Sequence, residues 1–188
     1  MGSGTIRYCL LNNRNSSSYF CADPKLQQVE DDYDIVIIDA PPSRDLYAEI
    51  ALIAADYLII PSDMKPFANQ GLSNVKNFVS EVGETRSSIG KDPLNVLGVL
   101  PSKVLKNSKY LEFVFPRQRD TVTQRYGFPV LDNVIYERVA LSNCVNKTLT
   151  MGNLEVPDPK SIFEFDRDSD SVKEFRSLSS EVMQKIGA

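Results

Sequence analysis

The chain has 188 residues with 42% apolar and 24% charged positions, a net charge of −4 and a pI near 5.0, enough for one domain with a sizeable core. It contains no histidine, which excludes Ser-His-Asp and Cys-His catalysis and every His-ligated metal site, and leaves carboxylates, lysines, hydroxyls and hard cations held by oxygen. The three cysteines, Cys9, Cys21 and Cys144, lack metal-type spacing and read as free thiols of a reducing cytoplasm.

Residues 1–4 have the composition of an expression scar and are set aside from the fold reasoning. Residues 5–11 are rich in strand formers, residues 12–24 are turn-like, and residues 25–33 suit one or two helical turns. Residues 35–39, Ile-Val-Ile-Ile-Asp, form a β-branched run, as expected of a parallel strand buried on both faces. A helix is expected over Leu46–Ala55 and a second buried strand over Tyr57–Pro61. Pro66 opens the next helix, with Phe67, Leu72, Val75, Phe78, Val79 and Val82 on one stripe.

A third strand is expected over Val96–Leu100, then a helix over residues 108–126 that Pro116 must start, kink or split. A fourth strand covers Val130–Ile135 and a further helix Val139–Leu149, while residues 152–168 read as irregular. The last helix spans Ser169–Ile186, with Val172, Phe175, Leu178, Val182 and Ile186 at helical spacing and Ser169 or Asp170 as its cap. No stretch is long and apolar enough to span a bilayer. The alternation predicts one α/β domain over 1–188, a three-layer sandwich with a mainly parallel sheet. Its ligand site belongs beyond the carboxyl ends of the strands.

The segment Ile35-Val36-Ile37-Ile38-Asp39-Ala40-Pro41-Pro42-Ser43 is a hydrophobic strand ending in an acid. Such a carboxylate emerges at the sheet edge, where it can hold Mg²⁺, the Walker B pattern; an Asp that merely ends a strand and caps the next turn fits the residues as well. Ala54-Ala55-Asp56 precedes the apolar strand and Pro61, and Pro66-Phe67 precedes Gly71-Leu72. Val96-Leu97-Gly98-Val99-Leu100-Pro101 and the Leu141-Ser142 pair follow further on.

In order and spacing, these segments resemble the ParA-type partition ATPases, ParA/MinD-like P-loop NTPases, over roughly Tyr33–Met183. The resemblance implies an incomplete P-loop NTPase fold. The parent would hydrolyse ATP with Mg²⁺, dimerise, and partition or position a plasmid, chromosome or other large cargo on the nucleoid with a ParB-like adaptor, in the cytoplasm and away from membranes. Asp39 would be its metal-side catalytic carboxylate. Pro41, Pro101, Tyr136 and Glu137 would line the nucleotide. The family usually carries proline and arginine where this chain has Tyr136 and Glu137, which weakens the expectation of base binding.

The family's glycine-rich, lysine-bearing phosphate loop has no counterpart before Asp39. The Asn12–Ser18 stretch has neither residue type. The chain is therefore expected to lack ATPase activity alone, and a non-enzymatic dimerisation or partner-binding module is the alternative. In related proteins the phosphate-loop strand lies beside the acid-ending strand, so either the strand at residues 5–11 fills that place or a second chain does. Lys103, Lys106, Arg117 and Arg119 fall in the most basic third of the chain; they read as a nonspecific DNA contact or as a solvated face balanced by Glu112 and Asp120.

Overall fold

The structure is a computed structural model that describes residues 7–12, 33–40, 44–151 and 154–187. Its sheet has five strands in the order β2-β1-β3-β4-β5. They are β1 (Arg7–Asn12), β2 (Ile35–Ala40), β3 (Tyr57–Ser62), β4 (Asn95–Val104) and β5 (Ile135–Tyr136). β1 runs antiparallel to both β2 and β3, whereas β3, β4 and β5 are mutually parallel. β2 therefore points the same way as β3, and the carboxyl ends of β2, β3, β4 and β5 share one edge. β1 fills the place beside the acid-ending strand, but in the reverse direction.

Helices cover both faces. On one face, α1 (Leu46–Ala54) and α3 (Leu72–Ser88) bury Ala48, Leu52, Val75, Phe78 and Val82 against Leu58, Ile60 and Val99. The short α2 (Pro66–Gln70) leads into α3. The same core receives Phe115, Val122 and Tyr126 from a helical run that is π-type at Tyr110–Val114, α-type at Phe115–Thr121 (α4) and π-type again at Val122–Tyr126. Pro116 sits in the first turn of α4, where its missing N–H costs little, so it splits the run without ending it.

On the other face, α7 (Asp170–Ile186) lays Phe175, Leu178, Val182 and Ile186 over Ile59, Leu97, Leu100 and Ile135. Its start is fixed by Ser169, whose Oγ accepts from Val172 N at 3.4 Å. Each fully buried leucine or isoleucine on these faces contributes roughly 1.5–3 kcal/mol.

β4 alternates sides across a register shift opposite Leu58 and Ile59. Gly98 makes that shift at φ +148°, and a Cβ there would meet Pro129 O at 3.0 Å. Pro129 O in turn accepts from Val99 N at 2.8 Å.

Four expectations are corrected. Phe67 is not on the buried stripe of its helix but 81% exposed, because the stripe begins only at Leu72 after the break at Gly71. The strand expected at Val130–Ile135 is reduced to a single bridge, Val99 to Val130, and to β5. The helix from Val139 stops at Val145 as α5, and Thr148–Met151 and Leu154–Pro157 form a separate antiparallel hairpin, β6 and β7. Residues 152–168 thus contain β7 and a short helix, α6 (Ile162–Phe165), capped by Ser161. The expected helical turns at residues 25–33 lie outside the described residues except Tyr33, and the turn at residues 12–24 does so except Asn12, which ends β1.

Candidate functional site

The shared carboxyl edge of the parallel strands is where the sequence places chemistry. Asp39 lies there on β2, exposed, opposite Tyr8 of β1, and Tyr8 also stands opposite Ile59 of β3. Among the described residues no group of three or more carboxylates or cysteines could enclose a metal ion. Asp39 thus offers a hard cation one carboxylate. That fits Mg²⁺ held mainly by substrate phosphates and water, and does not fit a closed protein cage. Pro41 lies outside the described residues.

At the end of β3 the chain turns sharply. Met64 adopts φ +57° with its side chain fully buried, a conformation that a non-glycine residue holds only when its surroundings insist. Ser62 Oγ accepts from Met64 N at 3.1 Å, and Tyr110 OH donates to Met64 O at 2.9 Å. Burial, and then the charge of Asp63, push the Tyr110 hydroxyl above its ordinary pKa, so it stays a donor. Ser62 Oγ donates to buried Asn69 Oδ1 at 3.1 Å, and Asn69 Nδ2 donates to Gln118 Oε1 at 2.9 Å. These bonds tie the β3 turn, α2 and α4 into one rigid unit. Asn69, Tyr110 and Gln118 were missed in the sequence, where polar residues at helical positions give no sign of their partners.

Pro101 is buried in β4 opposite Ser62, two residues before exposed Lys103, which holds φ +54°. Glu137 N donates to Val104 O at 2.9 Å while its side chain stays exposed. Two cations lie near the Tyr136 ring, Lys106 Nζ at 5.9 Å and Arg138 Cζ at 6.0 Å from its centroid. Arg138 donates to Glu174 at 2.5 Å and pairs with Asp170 at 3.4 Å. The hydrogen bond to Glu174 is the main cause that raises its pKa. Tyr136 thus meets the start of α7, its N–H donating to Glu174, while Asp39 stands four strands away across the sheet. Nothing in the sequence joined Arg138 to Asp170 and Glu174, although an acid pair spaced i, i+4 on an amphipathic helix is a usable signal.

The basic residues divide. Lys103 lies near the end of β4 and Lys106 just after it, whereas Arg117 and Arg119 lie on α4. Arg119 pairs with Asp132 at 3.3 Å and lies over Phe115, and Lys106 reaches Asp170 at 3.9 Å. Lys103 and Arg117 are exposed, with no ion pair among the described residues.

The AAA domain family AAA_31 matches residues 7–91, from β1 through α3. A virulence plasmid ParA family protein, pGP5-D of Chlamydia psittaci, is 27% identical over 86% of this chain and 53% of its own length. Sporulation initiation inhibitor protein Soj of Bacillus subtilis is 43% identical over 29% of this chain and 21% of its own, and maintenance of carboxysome distribution protein A of Synechococcus elongatus is 31% identical over 41% and 29%. The chain spans about half the length of the curated relatives it matches most broadly. No solved structure matches it. The acid-ending strand, the parallel α/β sheet flanked by helices and these relatives agree in their likeness to the ParA-like P-loop NTPases.

Proposed function

We propose that this chain is part of an ATP-dependent protein that partitions or positions a plasmid, a chromosome or another large cargo. The observation that carries this reading is Asp39 at the carboxyl end of β2, on the edge shared by the ends of the other parallel strands. Support for the role comes from relatives whose names include a virulence plasmid ParA family protein and a carboxysome distribution protein. Asp39 would give one carboxylate to the Mg²⁺ of Mg–ATP, as its metal-side catalytic ligand. Bound Mg²⁺ supplies charge neutralisation on the phosphoryl oxygens. Pro101 on β4, Tyr136 on β5 and Glu137 after it line the nucleotide in this reading.

The triphosphate grip in this fold belongs to a glycine-rich loop with a lysine, a pattern that the sequence before Asp39 does not carry. The chain alone therefore holds ATP weakly and does not hydrolyse it. It works in the cytoplasm as a homodimer, with a ParB-like adaptor and weak nonspecific DNA contacts through Lys103, Lys106, Arg117 and Arg119. Among the described residues no helix is long and apolar enough to cross a membrane. A phosphate-release assay with ATP and Mg²⁺ tests this: no turnover is expected, and turnover that Asp39→Ala abolishes contradicts it.

A second reading, a non-enzymatic dimerisation or partner-binding module, is favoured by one observation. β1 closes the sheet between β2 and β3 antiparallel, in the place the resemblance gives to a phosphate-loop strand. Amide hydrogen exchange separates the readings. A β1 as protected as β3 marks a permanent strand and favours the module; a β1 that exchanges far faster marks a place that another strand can take.

A further inference from the structure

Three cations from three parts of the chain converge on one exposed carboxylate. Asp170, whose side chain is 52% exposed, receives Lys173 Nζ at 3.3 Å, Arg138 Nη2 at 3.4 Å and Lys106 Nζ at 3.9 Å. Lys106 comes from the segment after β4, Arg138 from the residue before α5, and Lys173 from the first turn of α7. Glu174 balances Arg138 alone, so the group carries more positive charge than its two acids cancel. Arg138 Nε is buried and has no acceptor among the described residues, so the guanidinium is not saturated. The same cations draw the Asp170 carboxyl below its ordinary pKa, Lys173 foremost.

Such convergence is the arrangement a protein uses to hold an oxyanion. Lysine supplies a point charge and arginine a planar fork, and both Lys106 and Arg138 lie within about 6 Å of the Tyr136 ring centroid. We propose that Lys106, Arg138 and Lys173 form a site for a backbone phosphate of nucleic acid, in which Asp170 stands as an internal substitute for the phosphate. The proposal rests on the DNA-binding part of the reading above, and adds to it two residues and a self-masking acid. An exposed ion pair is worth little in water, so a polyanion that releases counterions displaces Asp170 readily. Binding thus costs the chain the three exposed ion pairs of Asp170, which keeps its affinity for DNA low.

The test is fluorescence anisotropy with a short duplex DNA across a range of salt, on the whole chain. Asp170→Asn keeps the size of the side chain and removes the competitor. It is expected to tighten binding about two- to fivefold, the range of one exposed ion pair, and to steepen the salt dependence. Asp168→Asn removes an equal charge two residues away and is expected to leave affinity unchanged. Lys106→Ala on top of Asp170→Asn is expected to erase the gain. Thermal melting of each variant establishes that it is folded.

Equal gains in Asp168→Asn and Asp170→Asn, or no gain in either, overturn the proposal. If binding weakens in Lys106→Ala and Arg117→Ala while Asp170→Asn changes nothing, the proposal is overturned and the DNA reading of the basic residues stands without it. If no variant binds DNA, the DNA reading fails with it. Inorganic phosphate alone supplies a last arm: saturable binding of phosphate to Asp170→Asn assigns the site to a free anion and overturns the nucleic-acid assignment.

Discussion

Tyr8 and Asp39 stand opposite each other across an antiparallel pair, and β1 thereby separates two strands, β2 and β3, that run in a common direction. The Walker B-like acid is held in place by a strand running the other way. Leu10, opposite Ile37 on one side and Tyr57 on the other, is the residue to test. Leu10→Pro removes a backbone donor from a strand paired on both sides, which costs about 3 kcal/mol or more. It uncovers the apolar edges of β2 and β3, and light scattering is expected to show self-association. A variant that stays the size of the wild type shows that those edges are not at risk.

Arg86 is a structural charge. It is 1% exposed, and its Nη1 donates to Leu52 O, Ile53 O and Ala55 O at 3.0, 2.8 and 2.7 Å while Nε donates to Asp92 O at 2.7 Å. These bonds close the carboxyl end of α1, where helix carbonyls otherwise lack partners. Arg86→Met leaves several buried acceptors without donors and is expected to lose about 2–4 kcal/mol in urea denaturation. A loss under about 1 kcal/mol means that water replaces the guanidinium.

Glu181 makes stability depend on pH. Burial disfavours its charge. The N–H groups of Asp132 and Asn133, the Asn133 side chain and Lys185 outweigh that, and hold its carboxyl below the ordinary value of 4.5. A carboxyl lowered in the folded state contributes fully above pH 4.5, and that contribution is lost as pH falls through the lower folded value. Glu181→Gln is expected to cost about 1–2 kcal/mol at neutral pH and to flatten the acid limb of a stability–pH curve. An unchanged acid limb contradicts the assignment.

The positions of β2 and β3 were legible because β-branched runs bounded by Pro, Asp or Gly admit few other readings. The expectation that residues 35–39 are buried on both faces is corrected: β2 ends the sheet, pairs antiparallel with β1, and leaves Ile37 66% exposed. Ile35–Ala40 and Tyr57–Ser62 fall within a residue of expectation. The α7 stripe was legible for the same reason, with Ser169 marking its start. Val130–Ile135 misled because an apolar run predicts burial and not pairing: Leu131 packs under α7, yet only Val130 bridges to β4 outside β5. Thr148–Met151 misled because its pairing with Leu154–Pro157 is set by cross-strand register, which helix periodicity cannot see. Of the candidate site, Asp39 at a strand end was readable from the strand itself. The Asp170 cluster was not, since Lys106, Arg138 and Lys173 meet only once β4, β5 and α7 are in place.

The two partnered cations and the two unpartnered ones should differ in DNA binding. Arg117 has no ion pair among the described residues and Arg119 is held by Asp132. Arg117→Ala is expected to weaken binding at low salt and to lower the salt slope by about 1, with a smaller effect from Arg119→Ala. Binding that survives raised salt, or that neither change alters, removes α4 from the contact surface.

We propose that this chain supplies the metal-side carboxylate of a ParA-like nucleotide site and not its phosphate grip. Titration calorimetry of Mg–ATP into the 188-residue chain tests it most directly. The account predicts no binding in the micromolar range, for wild type and Asp39→Ala alike. Micromolar binding by the wild type that Asp39→Ala abolishes would contradict it, and would require a phosphate-binding segment elsewhere in these residues.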